Sequence, residues 1–141
     1  MSPGRLNDLL LHTGSATAVL EELCRGPVHI RRLDSPAPPT RLQQPTTHRH
    51  VEIIHNQQTL STAHLWYRQA LLPEEMLKTL AETDTPFGRV VRPLNLRRQT
   101  LHTRLGNPGD SIALEHHAIL TLPNGQAVAE VLEHYSWALI S

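Results

Sequence analysis

IALEHHAILTLPNGQAVAEVLEHYSWALI, residues 112–140, is the stretch that decides the fold. Two apolar-rich runs, Ile112 to Leu122 and Ala127 to Ile140, flank Pro123-Asn124-Gly125. Asn-Gly between such runs is the strongest short hairpin signal, because both residues tolerate positive φ. The stretch therefore reads as two long antiparallel strands. Side chains alternate across a strand, so Val131, Glu133, Tyr135 and Trp137 share one face. Glu130, Leu132 and His134 share the other.

Working toward the N-terminus, Val90 to Leu105 contains alternating stretches, with Leu94, Leu96, Leu101 and Leu105 as inward candidates. Gly106 to Asp110 is a turn. Pro73-Glu74-Glu75 is a helix start, with Met76, Leu77 and Leu80 on its buried face. Val51, Ile53 and Ile54 form one strand of a second hairpin, His55 to Gln58 its polar turn, and Leu60 to Ala70 its return strand. Ser35 to Pro45 is rich in proline and extended, either a connector or a flap over a pocket. Val28, Ile30 and Arg32 suggest a strand. Two short helices open the chain, the first on Leu6, Leu9 and Leu10. The second, capped by Ser15 or Thr17, carries Val19, Leu20 and Leu23 and ends at Gly26-Pro27. No β-α-β-α rhythm appears. The expected fold is α+β, a mostly antiparallel sheet of about six strands with helices packed on it, formed by one domain over residues 1–141.

Thirteen basic and thirteen acidic residues cancel. A neutral chain lacks the electrostatic footprint of a nucleic-acid or membrane-surface binder, so neither is an expected partner. Cys24 is the single cysteine, which excludes an internal disulfide and fits a reducing cytoplasm. It reads as a small buried hydrophobe near a helix end rather than a nucleophile. Met1 to His12 shows no export signal, and no apolar run approaches the ~20 residues of a membrane span. Phosphate-binding glycine loops, dinucleotide fingerprints, zinc-type cysteine pairs and the Gly-x-Ser-x-Gly elbow are all missing, which counts against most cofactor-dependent classes.

A few residues remain that carry chemistry. His48 and His50 flank Arg49 on one strand face, but spacing specifies no third ligand, so a solvated face is preferred to a metal site. Arg49 shares its face with Val51 and Ile53, and an arginine on an apolar face calls for a carboxylate, either Glu133 or that of a ligand. Glu133 is a buried carboxylate if the Val131 face is inward, and otherwise a surface ion pair. His116 and His117 are adjacent, so at most one lines a given pocket. Thr85-Pro86-Phe87-Gly88-Arg89 is a constrained turn able to present backbone N–H groups to an anion.

These residues together resemble the chorismate lyase family. Thr85-Pro86-Phe87-Gly88-Arg89 is similar to the family's Thr-Pro-Leu-Gly-Arg segment. Gly14-Ser15-Ala16-Thr17 followed by Leu20-Glu21 resembles the opening of its second helix. Arg49 matches its substrate-binding arginine, and Glu133-His134-Tyr135 its Glu-x-Phe after one inserted residue. The order is collinear over nearly the whole chain.

The resemblance implies a cofactor-free conversion of chorismate to 4-hydroxybenzoate and pyruvate, in which the site mainly orients the substrate. Arg49 would clamp the ring carboxylate, with backbone N–H groups at Phe87 and Gly88 as further donors. Glu133 would be the catalytic acid, and Glu130, on the other face, its alternative. Ala16 replaces the family's lid methionine. His116 and His117 stand where better-known members have two arginines, and His117 is assigned to substrate binding. Segments around Ala16 and residues 35–45 would close over the ring. Two other outcomes stay open. One is a non-enzymatic domain binding an aromatic carboxylate, related to regulator effector domains. The other is a related biosynthetic enzyme acting on a different acid. The protein would work as a monomer or homodimer.

Overall fold

A computed structural model describes residues 1–11 and 16–140. The expected Ser15 cap and the Gly14-Ser15 part of the resemblance lie outside the described residues. Helices α1 (Pro3–Leu11) and α2 (Ala16–Cys24) are followed by strands β1 (His29–Leu33), β2 (Thr47–His55) and β3 (Gln58–Tyr67). Helix α3 (Glu74–Glu82) and the single turn α4 (Phe87–Val90) precede β4 (Arg97–Leu105), β5 (Leu114–Thr121) and β6 (Ala127–Tyr135). All six strands form one antiparallel sheet in the order β1-β2-β3-β6-β5-β4. The α+β expectation holds, with the helices on one face.

The register explains how one face came to be apolar. Arg49, Leu65, Val131, Ala118 and Thr100 form a row across five strands. Arg32, Val51, Ala63, Glu133 and His116 form the next row on the same face. At one end of this face, Leu65, Tyr67 and Val131 pack with Leu80 of α3 and Phe87 of α4. At the other end, Leu114 and Tyr135 pack with Leu6, Leu10 and Leu20 of α1 and α2. Leu80 is fully enclosed, so its truncation to alanine should cost about 2–5 kcal/mol. Cys24 ends α2 and packs against the Tyr135 cluster, but it is half-buried rather than buried as expected.

Turn chemistry fixes the two hairpins differently. Gly125 has φ 91° and closes the β5–β6 turn by donating to the Leu122 carbonyl at 2.8 Å. Gly125 alone, and not Asn124, adopts positive φ there, which matches a three-residue loop with a bulge. In the β2–β3 turn, Asn56 and Gln57 have φ 48° and 65°, the pair of positive values that a type I′ turn needs.

Three expected strand limits shift. Residues expected in a strand from Val90 fold instead as α4 and a 3-10 turn, Arg92–Leu94, with Asn95 left-handed at φ 53°. Leu94 and Leu96 do pack on the core. Leu101 and Leu105, expected inward, are 37% and 47% exposed. They lie on β4, the sheet margin, where a bulge between Thr100 and His102 breaks the alternation. The long strands expected to Ala70 and Ile140 end at Tyr67 and Tyr135, each followed by a 3-10 turn.

The 35–45 segment crosses the face away from the helices. Ser35 Oγ meets His50 Nδ1 at 2.7 Å, and Thr40 Oγ1 donates to Glu130 Oε1 at 2.6 Å. It is a strap over β2, β3 and β6, not a flap over the helix-covered face. Among the described residues, no helix is long and apolar enough to cross a membrane.

Candidate functional site

Arg49 is the residue around which the site is built. Its place on β2 turns it toward the helices, and it is 7% exposed. Its Nε and Nη1 are buried with no hydrogen-bond partner among the described residues. Burial lowers its pKa, and the nearby Arg32 lowers it further. A buried, unmatched guanidinium costs several kcal/mol, so it is a strong call for an anion. Arg49 lines a cavity of about 400 Å³ with Arg32, Thr47, Tyr67, Leu77 and Leu80. One end is cationic and the α3 wall is apolar.

Arg32 does not fill Arg49's vacancy, nor does it need the same partner. Its guanidinium donates to the carbonyls of Leu80 and Thr83 and lies 3.4 Å from Asp84. It thus satisfies the carbonyls that the last turn of α3 leaves unpaired.

Glu133 lies on the same face as Arg49 but binds elsewhere. Arg98 donates to its Oε1, and His116 Nδ1 is 3.9 Å from the same oxygen. The side chain of Glu133 is largely buried, so the inward placement of the Val131 face is correct, and its arginine is Arg98. Burial lowers the Arg98 pKa, but the Glu133 charge and hydrogen bond outweigh it and raise it overall. His116 is enclosed, and its Nε2 lies 2.6 Å from Asn7 Oδ1 of α1. Burial pushes its pKa down. Tyr135, wholly buried beside Glu133, has its phenol pushed well up by burial and by that carboxylate. Glu133 is not among the walls of the Arg49 cavity. By strand spacing, the two Cα atoms lie two strands and one same-face step apart, roughly 12 Å.

The other expected residues divide between regions. Phe87 is in the core, its ring centroid 5.7 Å from that of Tyr67, which itself lines the cavity. Gly88 is exposed, and an added Cβ would meet nothing within 4 Å, so packing does not require glycine there. Ala16 opens α2 and packs on the Tyr135 cluster, away from Arg49. His117, assigned to substrate binding, lies on the opposite face. Its Nε2 is 2.5 Å from Glu130 Oε2. The histidine that shares the face of Arg49 and Glu133 is His116, because adjacent strand residues point opposite ways.

Sequence reasoning missed the other face of the sheet almost entirely. His50, His64, Leu132, His117 and His102 form one row across five strands. The rings of His50 and His64 stack at 3.9 Å, and His48 Nε2 is 2.9 Å from His64 Nδ1. Burial, then His50 and His48, pull the His64 pKa down to about 4. Among the described residues, no group of three His, Cys, Asp or Glu is placed to hold a metal ion. Glu130, only 2% exposed, joins this face to the strap. Burial raises its pKa, but hydrogen bonds from Thr40, His117 and the Arg41 N–H lower it overall.

No protein-family model matches the chain. Among solved structures, the chain is similar to the possible transcriptional regulator YydK from Bacillus subtilis, with a TM-score of 0.54 and 16% identity over 79% of this chain. It spans 59% of that longer protein. It is also similar to gene product SA0254 from Staphylococcus aureus, with a TM-score of 0.51 and 12% identity, covering 79% of this chain and 85% of that one. At those identities the likeness is one of fold. In sequence, the chain is 32% identical over 174 positions to the uncharacterized protein y4mC of Sinorhizobium fredii, covering 93% of this chain and 72% of that protein. The chain belongs to the same protein family as y4mC.

Proposed function

We propose that this protein binds a small carboxylate-bearing ligand, with the carboxylate on Arg49 and the body of the ligand beneath α3. One observation carries the reading. Arg49 is buried in a cavity wall with two donor nitrogens unmet. A carboxylate supplies the charge that the guanidinium lacks and an acceptor for its unmet donors. No cofactor, nucleic acid or membrane enters this reading, and a cytoplasmic setting suits the ligand. The fold likeness to a possible transcriptional regulator favours binding without turnover.

A second reading takes the resemblance to the chorismate lyase family through to chemistry. Glu133 is on the same sheet face as Arg49, two strands away. In this reading chorismate rests on Arg49 and Glu133 manages the proton as pyruvate leaves. Isothermal titration with 4-hydroxybenzoate, beside a pyruvate-release assay with chorismate, tests both. Binding that disappears in Arg49→Gln, without pyruvate release, supports the first reading. Pyruvate release lost in Glu133→Gln supports the second. Equal binding by wild type and Arg49→Gln removes both.

A further inference from the structure

Resting on the carboxylate reading of the Arg49 cavity, we infer that Tyr67 is its second recognition group, and that the pair selects a ligand with a single carboxylate on an apolar body. Tyr67 and Arg49 both line the cavity, and Tyr67 lies close enough to act on the Arg49 charge. The Tyr67 ring is fixed: it is buried and packs against Phe87. No hydrogen bond to another described residue uses its hydroxyl. A rigid ring thus holds a free O–H donor beside a guanidinium with two free N–H nitrogens. A carboxylate seated on Arg49 has enough lone pairs to accept from both.

Charge matching limits the ligand to one carboxylate. Arg32, the other cation in the cavity wall, is held by the α3 carbonyls and by Asp84. Arg98, farther along the same face, is held by Glu133. A second carboxylate would face Leu77 and Leu80, or Thr47, Gln69 and His48, of which Gln69 donates to Thr47 and His48 is paired with His64, or would have to displace Arg32 from the end of α3. Each outcome leaves a desolvated charge or an uncapped helix end.

The test is isothermal titration of the full chain at pH 7.5 with benzoate, isophthalate and benzyl alcohol, on wild type, Tyr67→Phe and Arg49→Gln. Benzoate should bind wild type, isophthalate at least tenfold more weakly, and benzyl alcohol not measurably. Tyr67→Phe, which keeps the ring, should bind benzoate about tenfold more weakly, the usual loss for one hydrogen bond to a charged group. Unchanged benzoate affinity in Tyr67→Phe overturns the role of Tyr67. Isophthalate binding more tightly than benzoate overturns the single-carboxylate rule, and this arm needs no variant to fold. If Arg49→Gln binds like wild type, or no carboxylate binds, the Arg49 reading itself falls.

Discussion

Arg32 and Arg49 lie on adjacent strands and the same sheet face, yet only Arg32 has its donors engaged. The difference follows from reach. Arg32 sits under the end of α3, where carbonyls await donors, whereas Arg49 faces the cavity beside the helix. A satisfied arginine serves the fold, and an unsatisfied one weakens it unless something else binds.

Replacing Arg49 with methionine should therefore raise stability without ligand. It removes a desolvated charge while keeping an apolar chain of similar volume, and such exchanges gain about 1–4 kcal/mol where the charge was poorly matched. Thermal unfolding of both proteins without ligand is the check, and a fall in Tm would mean that Arg49 is already satisfied.

Glu133→Ala should destabilise the fold by roughly 1–3 kcal/mol, less than a fully buried pair because Arg98 is partly exposed. It leaves Arg98 without its carboxylate. The double variant Arg98→Leu with Glu133→Leu should recover much of the loss. Urea unfolding of Arg98→Leu, Glu133→Leu and the double variant, each against wild type, measures the coupling.

Glu130→Gln should loosen the strap. It weakens the acceptor for Thr40 and the Arg41 N–H and removes the charge facing His117. Limited proteolysis should then cut within residues 35–45 much faster than in wild type, with the core still folded. Because the folded Glu130 pKa is lowered, its contribution is present above the ordinary carboxylate pKa and lost as pH falls below it.

The histidine stack should make stability fall in mild acid. His64 titrates near pH 4 when folded and near 6.5 when unfolded, so the unfolded chain binds more protons between those values. Stability is full above about pH 6.5 and declines as pH drops toward 4. Burial lowers His48 and His50 as well. His64→Gln should flatten the slope between pH 6.5 and 4.5, measured by urea unfolding at several pH values.

What the sequence disclosed depended on distance along the chain. The Asn124-Gly125 hairpin and the Pro73-Glu74-Glu75 helix start were readable because their signals are local. The inward face of β6 followed from alternation, and Arg49 from its apolar neighbours. The partner of Glu133 was not readable, because Arg98 reaches it from β4 across β5. The histidine row was hidden for the same reason: its four histidines come from four strands and meet only through register. Leu101 and Leu105 misled because alternation carries an inward meaning only where a helix covers the strand.

The margin of the sheet at β4 has its own consequence. Nine residues long, it would offer a free ladder of amides and carbonyls to any passing extended chain. Arg97 and Arg104 place bulky, hydrated charges along that rim, and the kink at Thr100–His102 spoils its straightness. Two such rims brought together would repel. These features disfavour edge-to-edge addition at the strand its helices leave bare.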